Sequence, residues 1–342
     1  MADRDALRAV RRQPLDLIAV ITAWSAGIGA VIGVWRSADG GLLLQAGYGA
    51  LIGLVIGLGC TLAELYLFSN ARLRIARRLP PMVLMTLRAA TYGGFIVLGL
   101  SVPRLLTGEP AVWHSPDFAP LFSISAGVAL IFSTGIEITR LLGREATRAL
   151  FTGRYTRPRL EDRVVLFADV VGSTALAEQV GELRFHEFLR DLSQDLALAV
   201  ELTRGDVHKY VGDAVIVTWP LSRGVQGGAC LICAQQMHLV LAARSDHYHR
   251  QFGLRPRLRV AVHCGQVAAG EIGDWKKEIA LLGDTMNTTA RIERVAKSLE
   301  QPIVLSDALA QQLPDAHQAA LTALPDQPVP GKQAPLRLWA AT

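Results

Sequence analysis

The chain has 342 residues, 51% of them hydrophobic and 19% charged, with a formal net charge of +5. That balance is too apolar for an ordinary soluble protein of this length, and the excess is concentrated before Leu142. Its basic residues gather in short connections between apolar runs, so the charge implies no nucleic-acid partner, and the four cysteines imply no disulfide framework.

Leu17–Trp35 and Leu42–Ala63 contain no charged residue. Each is long enough to cross a bilayer, for which about 20 apolar residues suffice. Two further runs, Pro81–Val102 and Phe118–Leu142, also qualify, although each carries an ionisable side chain. The expectation over residues 1–137 is an α-helical transmembrane bundle of four spans; six or two spans fit the pattern less well. The first run follows a basic start, as in a signal peptide, but it is too long for one and no small-residue cleavage site follows.

Arginines set the orientation. Arg4, Arg8, Arg11 and Arg12 precede span one, Arg72, Arg74, Arg77 and Arg78 separate spans two and three, and Arg140, Arg144, Arg148, Arg154, Arg157 and Arg159 follow span four. The other two connections hold Arg36 and Arg104 beside Asp39, Glu109 and Asp117. Basic loops stay in the cytoplasm. Both ends of the chain are therefore expected inside, in a multi-pass protein of the cell (inner) membrane with membrane lipid around it and its C-terminal domain in the cytoplasm. The outer loops are too short for a large ligand-binding domain, while a lipid or small molecule within the bundle remains open.

Gly29 and Gly33 in span one, and Gly49, Gly53 and Gly57 in span two, repeat at every fourth position. Such small-residue faces let helices approach closely, either within one bundle or between two copies. Glu64, Arg88 and Glu137 are expected near the cytoplasmic side, where pairing would remove the penalty of isolated charges; structural and sensory roles both fit.

Residues 138–160 turn basic and weakly amphipathic, as if span four continued as a helix until Pro158 stops it. From residue 161 to 342 strands and helices alternate. A strand at Val164–Phe167 leads into a helix over Ala175–Leu202. A hairpin of Asp206–Tyr210 and Ala214–Trp219 turns at Gly212-Asp213, and Gly228–Ala243 is helical. Leu258–His263 and Gln266–Glu271 are expected as a second hairpin through Cys264-Gly265. A helix over Thr285–Lys297 and strands at Pro302–Leu305 and Leu336–Ala340 close the chain.

Two aspartates stand at the ends of apolar runs in this half: Asp169, in Phe167-Ala168-Asp169-Val170-Val171-Gly172-Ser173-Thr174, and Asp213, in His208-Lys209-Tyr210-Val211-Gly212-Asp213. Mg²⁺ prefers hard oxygen ligands and is commonly held by one or two carboxylates plus phosphates. Where the chain enters a helix at Val171–Thr174, backbone amides can meet phosphate oxygens; Ser173 and Thr174 can also cap that helix. Downstream, Asn287 and Arg291 stand four apart in Asn287-Thr288-Thr289-Ala290-Arg291, on one helical face.

In this order, over roughly Arg163 to Trp339, these segments resemble the class III nucleotide cyclases. The resemblance implies an α+β catalytic domain with a ferredoxin-like βαββαβ core. It implies that Asp169 and Asp213, with the carbonyl of Val170, hold two Mg²⁺ (or Mn²⁺) ions. Gly172, Ser173 and Thr174 would meet the phosphates and Lys332 the β- and γ-phosphates. Arg291 would neutralise charge on the α-phosphate, Asn287 would orient the ribose, and Lys209 would read adenine N1. It implies cyclisation of ATP to cyclic AMP and pyrophosphate. Because the family shares each site between two domains, it also implies a head-to-tail homodimer of this chain.

Two positions depart from the family pattern. Ala280 occupies the second base-selecting position, where Asp or Thr is usual, and cannot accept a hydrogen bond from an adenine amino group. Gln266 stands where some relatives have a phosphate-binding Arg. Lys209 favours ATP, with GTP as a side substrate, and a guanylate or dual-specificity enzyme is the alternative. So is a catalytically weak nucleotide-sensing module. A diguanylate cyclase would need a Gly-Gly-Asp/Glu-Glu-Phe hairpin in place of Tyr210-Val211-Gly212-Asp213-Ala214. Cys230 and Cys233 form a C-x-x-C in an apolar helical stretch and are read as core.

Overall fold

The computed structural model describes residues 2–35, 41–68, 81–108, 111–116, 118–326 and 335–341. They fall into two compact units, Met1–Glu137 and Ile138–Thr342.

The first unit is built on helices α1 (Ala2–Trp35), α2 (Leu42–Leu62), α3 (Pro81–Thr107) and the greater part of α4 (Phe118–Leu142). The glycine seam joins α1 to α2. A Cβ on Gly29 would lie 2.1 Å from the Gly49 carbonyl oxygen, and one on Gly53 equally close to that of Ser25. No side chain fits there, so the small residues serve packing within the bundle. At its end α2 widens into a π-helical turn, Ala63–Phe68, which carries Glu64. The Arg88 guanidinium, 1% exposed, donates to Glu137 at 2.8 Å and to Glu64 at 3.3 Å. Tyr92 donates to the other oxygen of Glu64 at 2.8 Å. The three ionisable residues thus form one cluster. A cavity of about 770 Å³ opens within this unit.

Five helical segments among the described residues are long and apolar enough to cross a membrane. Four coincide with the apolar runs of the sequence. The fifth, Leu221–Phe252, differs in kind: Cys230, Leu231, Cys233, Ala234 and Met237 are buried in the core of the second unit.

The expected continuation of α4 towards Pro158 is interrupted: the helix runs on only to Leu142. Gly143, with φ +84°, separates it from a short helix α5 (Arg144–Thr152), and the first strand begins directly after Pro158. The order is then β1 (Arg159–Val170), α6 (Ser173–Val180), α7 (Glu182–Leu202), β2 (Asp206–Val211), β3 (Ala214–Pro220), α8 (Leu221–Val225) and α9 (Ala229–Phe252). It continues through β4 (Leu258–Ile272), β5 (Glu278–Leu282), α10 (Asp284–Ser298), β6 (Ile303–Ser306), α11 (Asp307–Ala310), α12 (Asp315–Gln318), β7 (Thr322–Ala323) and β8 (Leu338–Ala341). One mixed sheet runs β2-β3-β1-β4-β6-β8-β7, with β5 added on β4. The β4–β6 pair is parallel and the other ladders are antiparallel.

The expected hairpin at Cys264-Gly265 is absent, because both residues lie inside the continuous strand β4. A Cβ on Gly265 would sit 2.6 Å from the Thr285 hydroxyl. The glycine admits the crossing helix α10 and makes no turn. The single helix expected over Ala175–Leu202 is likewise two helices, interrupted by Gly181 at φ +80°.

Strand alternation divides the packing. Val164, Leu166, Ala168 and Val170 of β1 join Phe188, Leu192 and Leu196 of α7 and Leu231 and Met237 of α9 in the main core. On the opposite face α10 covers Ala261 and Val304 with Ile292, Val295 and Ala296. Also on that face, α5 and the segment after it cover Val267, Ala269 and Leu281 with Ala149 and Tyr155. Asp169, out of phase with the core residues of β1, points to this second face.

Candidate active site

Asp169 lies one residue before the end of β1, and Asp213 lies in the tight β2–β3 connection, whose Gly212 has φ +61°. Positive φ at the first position of a two-residue hairpin loop suits glycine, and it turns Asp213 back towards β1. The two carboxyl groups share a hydrogen bond. Burial pushes the Asp169 carboxyl up, the Asp213 and Glu293 carboxylates push it further, and it reaches about 6 despite Arg259. Arg259, opposite Asp169 in the β1–β4 ladder, has its Nη2 3.7 Å from Asp169 Oδ2.

Two buried atoms close to this pair lack partners, Nε of Arg259 and Oε1 of Glu293. Among the described residues no group of three or more His, Cys, Asp or Glu is arranged to hold a metal ion. The Asp169–Asp213 pair, with one arginine beside it, offers two hard-oxygen carboxylates, which fits a divalent cation of the Mg²⁺ type that takes its other ligands from phosphates. The side chain of Val170 is committed to the core, which leaves only its carbonyl to serve as a ligand. Arg259 and Glu293 were not legible as site residues. Their proximity to Asp169 follows from strand register and a helix crossing, neither of which leaves a local motif.

Gly172, with φ +76°, is the N-cap of α6, and no side chain caps the helix. Ser173 and Thr174 are its first two residues, so the capping role open to them in the sequence is not realised. The first-turn amides therefore remain available to an anion.

A second group assembles around β5. Lys209 reaches Glu278 with its Nζ 3.0 Å from Oε1. A β-bulge at His208 shifts the register between Val207 and Lys209. Val207 therefore opposes Val217 of the main core, while Lys209 opposes Ile216 and is turned to the second face. Ala280 is buried on β5. From there the chain passes through Gly283 into α10, where Asn287 is exposed and Arg291 half-buried. Gln266 is exposed on β4, and its carbonyl accepts from Thr285 at 2.7 Å.

Asn287 and Arg291 leave α10 at about 120° and 160° from Glu293, at 100° per residue. Glu293 acts on Asp169, so the Asn/Arg flank is turned away from the Asp169 side. Among the described residues no hydrogen bond or ion pair joins Asp169 and Asp213 to Lys209, Asn287 or Arg291. Lys332 lies outside the described residues.

Several residues belong to the scaffold. Arg163, buried on β1, donates to Glu145 of α5 at 2.8 Å, to Glu161 at 2.7 Å and to the Tyr155 hydroxyl at 2.7 Å. Burial alone would raise the Glu145 carboxyl, but Arg163 outweighs it and the group ends below its usual range. Cys230 and Cys233 are fully buried, and burial pushes both thiols up to about 12. They are packing residues, as expected. His263 bonds Ser306 at 2.7 Å.

Comparison with known proteins agrees with this geometry. Residues 156–340 match the family described as adenylate and guanylate cyclase catalytic domain. The chain is 36% identical over 249 residues to "Adenylate cyclase 2" of Rhizobium meliloti, covering 70% of this chain and 69% of that one. It is 30% identical over 169 residues to the receptor-type guanylate cyclase Gyc76C of Drosophila melanogaster, covering 47% of this chain but 11% of the relative. A bacterial light-regulated adenylyl cyclase of known structure superposes with a TM-score of 0.55 at 17% identity, over 64% of each chain, a likeness of fold alone. Members of this family use divalent metal ions, in keeping with the carboxylate pair. On the match over residues 156–340 and the bacterial relative, the chain belongs to the class III nucleotide cyclase family.

Proposed function

We propose that this chain is a membrane-anchored adenylate cyclase that converts ATP to 3′,5′-cyclic AMP and pyrophosphate in a head-to-tail homodimer with shared sites. The observation that carries the reading is the division within one catalytic unit. Asp169 and Asp213 sit together, whereas Asn287 and Arg291 leave α10 on a flank turned away from them. A second copy brought in head to tail would set the Asn/Arg flank of one chain against the carboxylate pair of the other. The strand order β2-β3-β1-β4, with helices α6–α7 and α9 in the two crossovers, suits a ferredoxin-like βαββαβ core.

Asp169, Asp213 and the Val170 carbonyl would hold Mg²⁺ or Mn²⁺. Two such ions, when bound, stabilise the attacking and departing oxygens of an in-line displacement. The uncapped amides after Gly172 receive phosphate oxygens. Asn287 orients the ribose so that its 3′-oxygen faces the α-phosphorus, and Arg291 neutralises charge there as the bond to the pyrophosphate oxygen breaks. Lys209 donates to the base. Ala280 supplies no acceptor of its own, so this side chain by itself does not discriminate against GTP. Helices α1–α4 anchor the enzyme as four spans, with the catalytic unit in the cytoplasm. The 36% identity to a bacterial adenylate cyclase over 70% of the chain supports the choice of ATP.

Purified full-length protein in detergent, assayed with ATP and with GTP in Mg²⁺ or Mn²⁺, tests the reading. Cyclic AMP with equimolar pyrophosphate is expected, and Asp169→Ala should lower it by at least about 100-fold. A wild-type protein that forms no cyclic nucleotide from either substrate would overturn it.

A further inference from the structure

Lys209 is not an isolated cation. Its contact with Glu278 joins β2 to β5, two strands that share no backbone ladder, since β2 pairs with β3 and β5 with β4. The two side chains therefore meet without a backbone ladder between their strands. Both remain partly open to solvent, 50% and 41% exposed. A half-exposed ion pair adds little to stability, so the fold does not depend on it. Its position is more informative. Strand alternation puts Glu278 on the same face of β5 as Ala280, two residues before the side chain that has no acceptor. The bulge at His208 sets the phase of Lys209 on β2, and its Nζ, 3.0 Å from Oε1, brings it to Glu278.

We propose that Glu278 is a specificity-determining residue that accepts the 6-amino hydrogen of adenine, in place of an acceptor at Ala280, and holds Lys209 to donate to the neighbouring ring nitrogen. This assignment rests on the adenylate cyclase reading above. A donor and an acceptor held side by side match the adenine edge, where a ring acceptor adjoins an amino donor. Guanine presents the reverse order on that edge, a carbonyl acceptor beside an N–H donor. A fixed Lys–Glu pair therefore disfavours it. Ala280 then marks a relocated acceptor and not a lost one.

The test compares ATP with purine riboside triphosphate, which lacks only the 6-amino group, and with GTP. Values of kcat and KM are measured for wild type, Glu278→Ala, Glu278→Gln and the double variant Glu278→Ala with Ala280→Asp. Wild type should prefer ATP over the deamino analogue by about tenfold or more in kcat/KM, as expected for a site built to bond the missing group. In Glu278→Ala that preference should collapse through a raised KM for ATP, while the analogue falls far less. Glu278→Gln keeps an acceptor oxygen and should retain part of the preference, and Ala280→Asp should restore it in the double variant. A wild type indifferent to the amino group, or a Glu278→Ala or Glu278→Gln enzyme with the full wild-type preference, would overturn the assignment. A wild type inert towards all three nucleotides would overturn the cyclase reading itself, and this assignment with it.

Discussion

Asp169 and Asp213 meet with Glu293 close by and one arginine 3.7 Å away. Without a cation the Asp169 carboxyl titrates near 6 instead of its usual 3.8. A raised folded-state value means that ionisation is disfavoured in the folded protein. The associated stability is complete below about pH 4 and is lost as pH rises through 6. In metal-free protein, Asp169→Asn should therefore stabilise the catalytic unit at pH 7.5 and have little effect at pH 4. After allowance for solvent screening of a partly exposed group the gain is on the order of 1 kcal/mol. Thermal unfolding in chelator at the two pH values measures it. A variant destabilised at both would contradict the crowded-carboxylate account. At this scale Asp169, Asp213, Lys209, Asn287 and Arg291 stand out in the sequence as candidates, because each belongs to a contiguous motif. Arg259, Glu293 and Glu278 escaped it, since their roles depend on register, a helix crossing and a bulge at His208.

At the scale of elements, glycine was the hardest residue to read. Gly265 resembled a turn and proved to be the point where α10 crosses β4, while Gly143 and Gly181 adopt positive φ and break helices expected to be continuous. The same glycyl residue type thus answers opposite demands, and only the packed partner tells them apart. Helix α5 is fixed by Arg163, whose guanidinium satisfies Glu145, Glu161 and Tyr155 at once. Arg163→Met should leave two carboxylates facing each other and lower stability by about 3 kcal/mol, the usual result of removing one partner of a buried pair. A melting temperature unchanged from wild type would contradict this. In the helical unit, Arg88→Glu would gather three carboxylates where Arg88 now joins Glu64 to Glu137. We expect a loss of about 3–5 kcal/mol, read as a lower melting temperature in detergent; unaltered melting would show that the cluster does not support the bundle. The four apolar runs were legible because hydropathy over such lengths is a strong signal, whereas the apolar helix α9 shows that composition alone does not separate a globular core helix from a span.

For the whole molecule, the two units differ as their compositions suggest: the first is built of apolar helices long enough to cross a membrane, and the second, on a mixed sheet, carries the match to the cyclase family. Within the second unit, Asp169 and Asp213 form one group and Lys209, Asn287 and Arg291 another, with no hydrogen bond or ion pair joining the two among the described residues. Two-fold symmetry offers a direct solution, because one isologous contact creates two equivalent sites. Complementation tests that central claim. Asp169→Ala and Asn287→Ala chains, each nearly inactive alone, are co-expressed at equal levels and assayed in membranes for cyclic AMP formed from ATP. With random pairing, half of the dimers hold one intact site of two, so activity should return to about a quarter of the wild-type value. If the mixture stays as inactive as either variant by itself, the sites are not shared between chains.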